Sequence, residues 1–136
     1  MQQSVKNTRL NLLKSDEYII KLLNSIKNDH DILAAVVFGS FLTKNSYRDI
    51  DICLFSFKCE IDQSVELKYR LLLPEKYDVR FFSKFPLYIQ SEIMETGEII
   101  FNKQQDALFD IYYKKIKEFN LFYPHFKTYL EAVKNS

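Results

Sequence analysis

VVFGSFLTKNSYRDIDICLF, residues 36–55, is the stretch whose reading decides the fold. It continues a run that begins at Ile32: ILAAVVF, residues 32–38, is apolar throughout, short, and bounded by turn signals. That pattern predicts a strand buried on both faces. The run stops at Gly39, one of only two glycines in the chain, the other being Gly97. In a chain so poor in glycine, each marks a place where backbone geometry matters. At Gly39 the expectation is a sharp turn and room for a ligand to approach the backbone. Ser40 then offers a hydroxyl and a backbone N–H at the start of a short helical turn, and such groups suit phosphate.

The second half of the stretch, DIDICLF at residues 49–55, reads as another strand. Side chains alternate faces along a strand, so Asp49 and Asp51 point one way and Ile50, Ile52 and Leu54 the other, into a core. Two acids side by side repel each other unless a cation compensates them. Their hard oxygen donors suit magnesium or manganese. Asp78 extends the pattern from a third apolar run, YDVRFF, residues 77–82. If that strand lies beside the second, three carboxylates can share two metal ions roughly 4 Å apart. Asp78 is then also a candidate general base, and the three acids titrate as a coupled set.

Working outward, Ser15 followed by Asp16 and Glu17 predicts a helix start with acids in its first turn. Tyr18, Ile19, Leu22, Leu23 and Ile26 share one face of that helix, and Asn28, Asp29 and His30 end it. Residues 62–73 suit a helix stopped by Pro74. Pro86 suits the first turn of another, with Gly97 as its C-terminal cap. Residues 98–101 read as a short strand. From Gln104 the chain reads as helical, with Ala107, Leu108, Ile111, Tyr112, Ile116 and Phe119 on an apolar stripe. A last helix restarts at Pro124, carrying Phe126, Tyr129, Leu130 and Val133. Alternating strands and helices give an α/β (α+β) domain, a small mixed sheet flanked by helices with helices at the C-terminal end.

The 136 residues, without repeat or linker composition, are expected to form one domain, 1–136. Apolar residues make up 47% and charged residues 27%, which argues against disorder. A net charge of +1 gives no strong nucleic-acid signal. No apolar run approaches the about 20 residues that span a bilayer, so no membrane role is expected. The N-terminus is too polar for a signal core. Cys53 and Cys59 suit neither a metal site nor a disulfide framework, and reduced thiols point to the cytoplasm.

The Gly-Ser turn, a short loop, Asp-x-Asp and a third acid on a later strand together resemble the nucleotidyltransferase superfamily with the DNA-polymerase-β-like fold. The small size is similar to its minimal nucleotidyltransferase (MNT) branch, and the resemblance covers nearly the whole chain. Pro86 through EIMETGEIIFN is similar to the family's helix that ends in glycine and leads into a strand. Two features depart from the pattern: the loop between Ser40 and Asp49 is short and lacks a glycine, and Arg48 stands where a serine usually precedes the acids. The resemblance implies transfer of a nucleoside monophosphate, AMP from ATP or the equivalent from another NTP, to a hydroxyl. Asp49, Asp51 and Asp78 would bind two Mg2+ ions, with Mn2+ as a substitute, and would carry catalysis. Gly39, Ser40, Lys44 and Arg48 would meet the nucleotide. Minimal members work as antitoxins against a HEPN-domain toxin, by binding it or by adenylylating a tyrosine on it.

Blander readings stand beside these. Gly39-Ser40 alone can be a plain turn, Asp49-Ile50-Asp51 a solvated strand end, and Lys44 and Arg48 solvated loop cations. Arg80 can pair with the acids instead of with substrate. Lys84, His30, His125, Asp62, Asp106 and Asp110 read as surface or satisfied groups. The aromatic tail from Phe109 to Tyr129 is mostly core, with part of it a candidate partner surface. A non-catalytic binding module and an aminoglycoside-type enzyme acting on a small-molecule hydroxyl are the competing functions, and a homo-oligomer is left open.

Overall fold

The computed structural model describes the backbone of residues 2–135 and the side chains of residues 2–121 with those of Thr128, Glu131 and Ala132. Two helices lead the chain, α1 (Gln3–Ser15) and α2 (Glu17–Lys27). β1 (Ile32–Phe38) follows, then a single turn of helix, α3 (Ser40–Thr43), and β2 (Ile50–Ser56). The rest of the chain is α4 (Gln63–Leu71), β3 (Tyr77–Phe81), a 3-10 turn (Phe82–Lys84), α5 (Leu87–Thr96), β4 (Glu98–Asn102) and α6 (Gln105–Asn135). The four strands form one mixed sheet in the order β3-β2-β1-β4. β1 runs antiparallel to both β2 and β4, whereas β2 and β3 are parallel. That parallel pair needs a crossover, and α4 supplies it.

All seven residues of β1 are buried, as its unbroken apolar composition requires, because helices cover both faces of the sheet. One face carries Ala35, Val37, Ile50, Ile52, Leu54 and Val79, packed against Ile19, Leu22 and Ile26 of α2 and Tyr69 of α4. The opposite face carries Leu33, Val36, Cys53 and Phe55, packed against Ile93 of α5 and Leu108 of α6. The face of β2 that bears Asp51 is therefore a second core, with the acid at its end.

Four local details depart from the sequence reading. α1 was not foreseen; only Leu13 of its residues is buried, so it lacks the apolar stripe that marks a core helix. Asp16, not Ser15, caps α2, its carboxylate accepting from the backbone N–H of Tyr18 at 2.9 Å and of Ile19 at 3.3 Å. Gly97 ends α5 with an extended φ of −69°, so no left-handed cap is formed. Close packing is its reason: an added Cβ would stand 2.4 Å from the Ile93 carbonyl oxygen and 2.6 Å from Val36 Cγ1. Finally, α6 is one continuous helix, with no restart at Pro124. The side chains of Phe122, Tyr123, His125, Phe126, Tyr129, Leu130 and Val133 lie outside the described residues.

Candidate active site

The site forms where β1 ends, β2 begins and β3 begins. Gly39 turns the chain with φ +82°, a conformation that side chains other than glycine resist. Its lack of a side chain has a second use. A Cβ at Gly39 would lie 2.6 Å from Asp51 Oδ2, so the acid occupies the space that glycine leaves. Ser40 opens α3 directly after this turn, as expected. α3 is held by the backbone bond from Lys44 N–H to the Ser40 carbonyl at 2.9 Å and by the Thr43 hydroxyl donating to the Gly39 carbonyl at 3.2 Å.

β3 lies beside β2, the condition the sequence reading set: Asp51 and Asp78 are direct Cα partners across the parallel pair, and Cys53 faces Arg80 two residues on. Asp49 falls one residue before β2, in the exposed end of the loop. The alternation argument thus places Asp51 on the strand, and Asp49 only at its threshold. Burial pushes the Asp51 carboxyl up to about 6; the charges of Asp78 and Asp49 add to the shift, Arg80 opposes it, and Glu92 of α5 contributes a further increase. The charged form of Asp51 is therefore disfavoured first by burial and then by its acidic neighbours.

Arg80 takes the ion-pair role, with Nε 3.3 Å from Asp78 Oδ1 and the guanidinium 6.0 Å from the Phe85 ring. The pair is substantially exposed, so it contributes little to stability. Among the described residues no set of three or more His, Cys, Asp or Glu side chains is arranged as a metal-binding group. Asp78 is engaged with Arg80, and Asp49 stands outside the strand. The donor chemistry nevertheless fits a divalent cation. Asp51 and Asp78 are hard oxygen donors on adjacent strands, and a cation there would offset the burial and the acidic neighbours that raise Asp51.

The other foreseen residues scatter. Lys44 and Arg48 lie exposed on the loop between α3 and β2. His30 is exposed, Asp62 caps α4 by accepting from Ser64 N–H at 3.1 Å, and Asp110 pairs with Lys114 at 3.2 Å. Cys53 is buried and Cys59 exposed, both free thiols. Sequence reasoning missed Arg9, whose guanidinium reaches the loop from α1, and Gln90, a buried amide that donates to the Phe82 carbonyl at 2.9 Å. No helix among the described residues is long and apolar enough to cross a membrane.

Comparison with known proteins agrees with this geometry. A candidate protein adenylyltransferase of Methanocaldococcus jannaschii is 34% identical over 86 residues, covering 61% of this chain and 66% of that relative. Among solved structures, the complex of a tri-AMPylated Shewanella oneidensis HEPN toxin with its MNT antitoxin contains a chain of the same fold. Its TM-score is 0.65 at 21% identity, over 92% of this chain and 98% of that one. A toxin–antitoxin structure with AMP-PNP matches with a TM-score of 0.65 at 22% identity, over 86% and 96% of the two chains. Nucleotidyltransferases of this fold generally use divalent metals. The family described as Polymerase beta, Nucleotidyltransferase matches residues 20–106, which hold the Gly39 turn, both acid-bearing strands and α5, and the chain belongs to that family.

Proposed function

We propose that this protein is a cytoplasmic, metal-dependent nucleotidyltransferase that moves AMP from ATP onto a tyrosine hydroxyl of a HEPN-type toxin and so acts as an antitoxin. The observation that carries the reading is the pairing of Asp51 with Asp78 across β2 and β3, beneath a glycine turn that leaves room for the Asp51 carboxylate. The relatives named above supply the acceptor class: one is a candidate protein adenylyltransferase, and another is solved with an AMPylated toxin.

In this reading Gly39, Ser40 and the loop cations Lys44 and Arg48 hold the triphosphate. Asp51 and Asp78, with Asp49 beside them, hold Mg2+, two ions being expected and Mn2+ a substitute; the metal supplies charge neutralisation at the phosphates. The acceptor oxygen attacks the α-phosphorus, its bond to the β-phosphate bridging oxygen breaks, and pyrophosphate leaves. Asp78 takes the proton from the acceptor hydroxyl, and Arg80 gives up its contact with Asp78 as the acids turn to the substrate. Positioning and charge stabilisation account for the rate, since the protein need form no covalent bond.

The test is label transfer from α-labelled ATP with magnesium into a purified HEPN-type ribonuclease. Wild type should label the toxin and silence it. Asp51→Asn should lower transfer by at least about 100-fold. Silencing by the variant without any label would replace the enzymatic reading with a binding module. Label on an added aminoglycoside but not on protein would move the acceptor to a small molecule.

A further inference from the structure

Arg9 of α1 reaches across to the segment after the glycine turn. Its Nη1 donates to the carbonyls of Phe41 at 2.8 Å and Lys44 at 2.7 Å, and its Nη2 to that of Asn45 at 2.6 Å. The guanidinium also lies 4.7 Å from the Tyr47 ring centroid and 5.9 Å from that of Phe41, and those two rings meet edge to face at 4.9 Å. One planar cation thus fixes three carbonyls and two rings of a short loop, a task that a lysine's compact ammonium cannot repeat. The helix that carries it is otherwise lightly held. Leu13 is its single buried residue, Leu10 packs at the edge of the core, and Lys6 pairs with Glu98 at 2.6 Å. The family match begins at residue 20, so this latch comes from outside the matched segment.

We propose that Arg9 is a positioning residue for the nucleotide: it ties α1 to residues 39–48, so that docking of α1 and occupancy of the nucleotide site favour each other. The inference rests on the reading of that segment as nucleotide-binding. The three carbonyls that Arg9 holds belong to Phe41, Lys44 and Asn45, within the segment that carries Ser40, Lys44 and Arg48. Without the latch the loop samples other conformations, and binding must select the competent one, which weakens apparent affinity while leaving chemistry at saturation intact. Reciprocity then requires a bound nucleotide to steady α1.

The experiment uses the full chain with magnesium and a non-hydrolysable ATP analogue. Binding affinity, KM and kcat for ATP, thermal melting and amide hydrogen exchange in α1 are compared for wild type, Arg9→Lys and Arg9→Ala. In Arg9→Ala, Kd and KM for the nucleotide should rise about tenfold or more, with kcat within about twofold of wild type. Arg9→Lys should fall between. In wild type the analogue should slow exchange of α1 amides, and in Arg9→Ala that protection should disappear. Unchanged affinity in Arg9→Ala, or a lower melting temperature and kcat with KM unmoved, would overturn the proposal and leave Arg9 a stabilising contact only. So would α1 exchange indifferent to the analogue in wild type. Absence of nucleotide binding by wild type itself would remove the nucleotidyltransferase reading and the latch with it.

Discussion

Asp51 opposes the stability of its own fold. Burial, followed by the charges of Asp78 and Asp49, raises its pKa to about 6, against a usual value near 4. Between those values the unfolded chain ionises Asp51 while the folded one resists. Stability therefore falls as pH rises from about 4 to about 6, and the deficit is complete above that window. Asp51→Asn should stabilise the protein at pH 7.5 by on the order of 1–2 kcal/mol in urea titrations without divalent cations, and should change little at pH 3.5. Added magnesium should raise the wild-type melting temperature and leave that of the variant nearly unmoved. A variant no more stable than wild type at pH 7.5 would mean that the folded site does not hold back ionisation of Asp51. The placement of Asp51 and Asp78 on neighbouring strands was legible from alternation and the expected strand pairing, and the Gly39 turn with Ser40 opening a helical turn was legible from the glycine, whereas Asp49 falls outside the strand. Arg9 was not legible, because it bonds backbone carbonyls 32 to 36 residues away, and carbonyls leave no mark in a sequence.

Helix ends show how local chemistry sets the frame for the site. Asp16 accepts two N–H groups at the start of α2, and it adds to the upward push that burial gives the Tyr77 hydroxyl pKa at the start of β3. Asp16→Ala should therefore cost about 1–2 kcal/mol in equilibrium unfolding, whereas Ser15→Ala, whose hydroxyl only meets the Leu12 carbonyl at 2.9 Å, should cost a few tenths. Equal losses would return the capping role to Ser15. The strands were readable because their apolar runs are short and sharply bounded. α1 was hidden because a helix with one buried residue has no periodic stripe to detect. The Pro124 restart misled for the opposite reason: proline is a strong local signal, and here one helix runs through it.

At the scale of the molecule, Cys53 reports on whether the two cores separate. It sits in β2 on the face covered by α5 and α6, fully buried, with its thiol pKa pushed up by that burial. Cys59 is exposed. A chromogenic thiol reagent should find one fast group in the native protein and a second only at the rate of opening, slower by several orders of magnitude. Two fast thiols would show that α5 and α6 leave the sheet readily. Layering of this kind makes β1 and β2 hard to alter, since each serves two packed faces at once. α1 is under no such constraint. A helix with one buried side chain can change most of its sequence without repacking the core, yet through one guanidinium it grips the segment after the glycine turn. Under the proposed latch it is a tuning handle: variation there would reset the nucleotide concentration at which the protein acts, while the acid-bearing strands stay as they are.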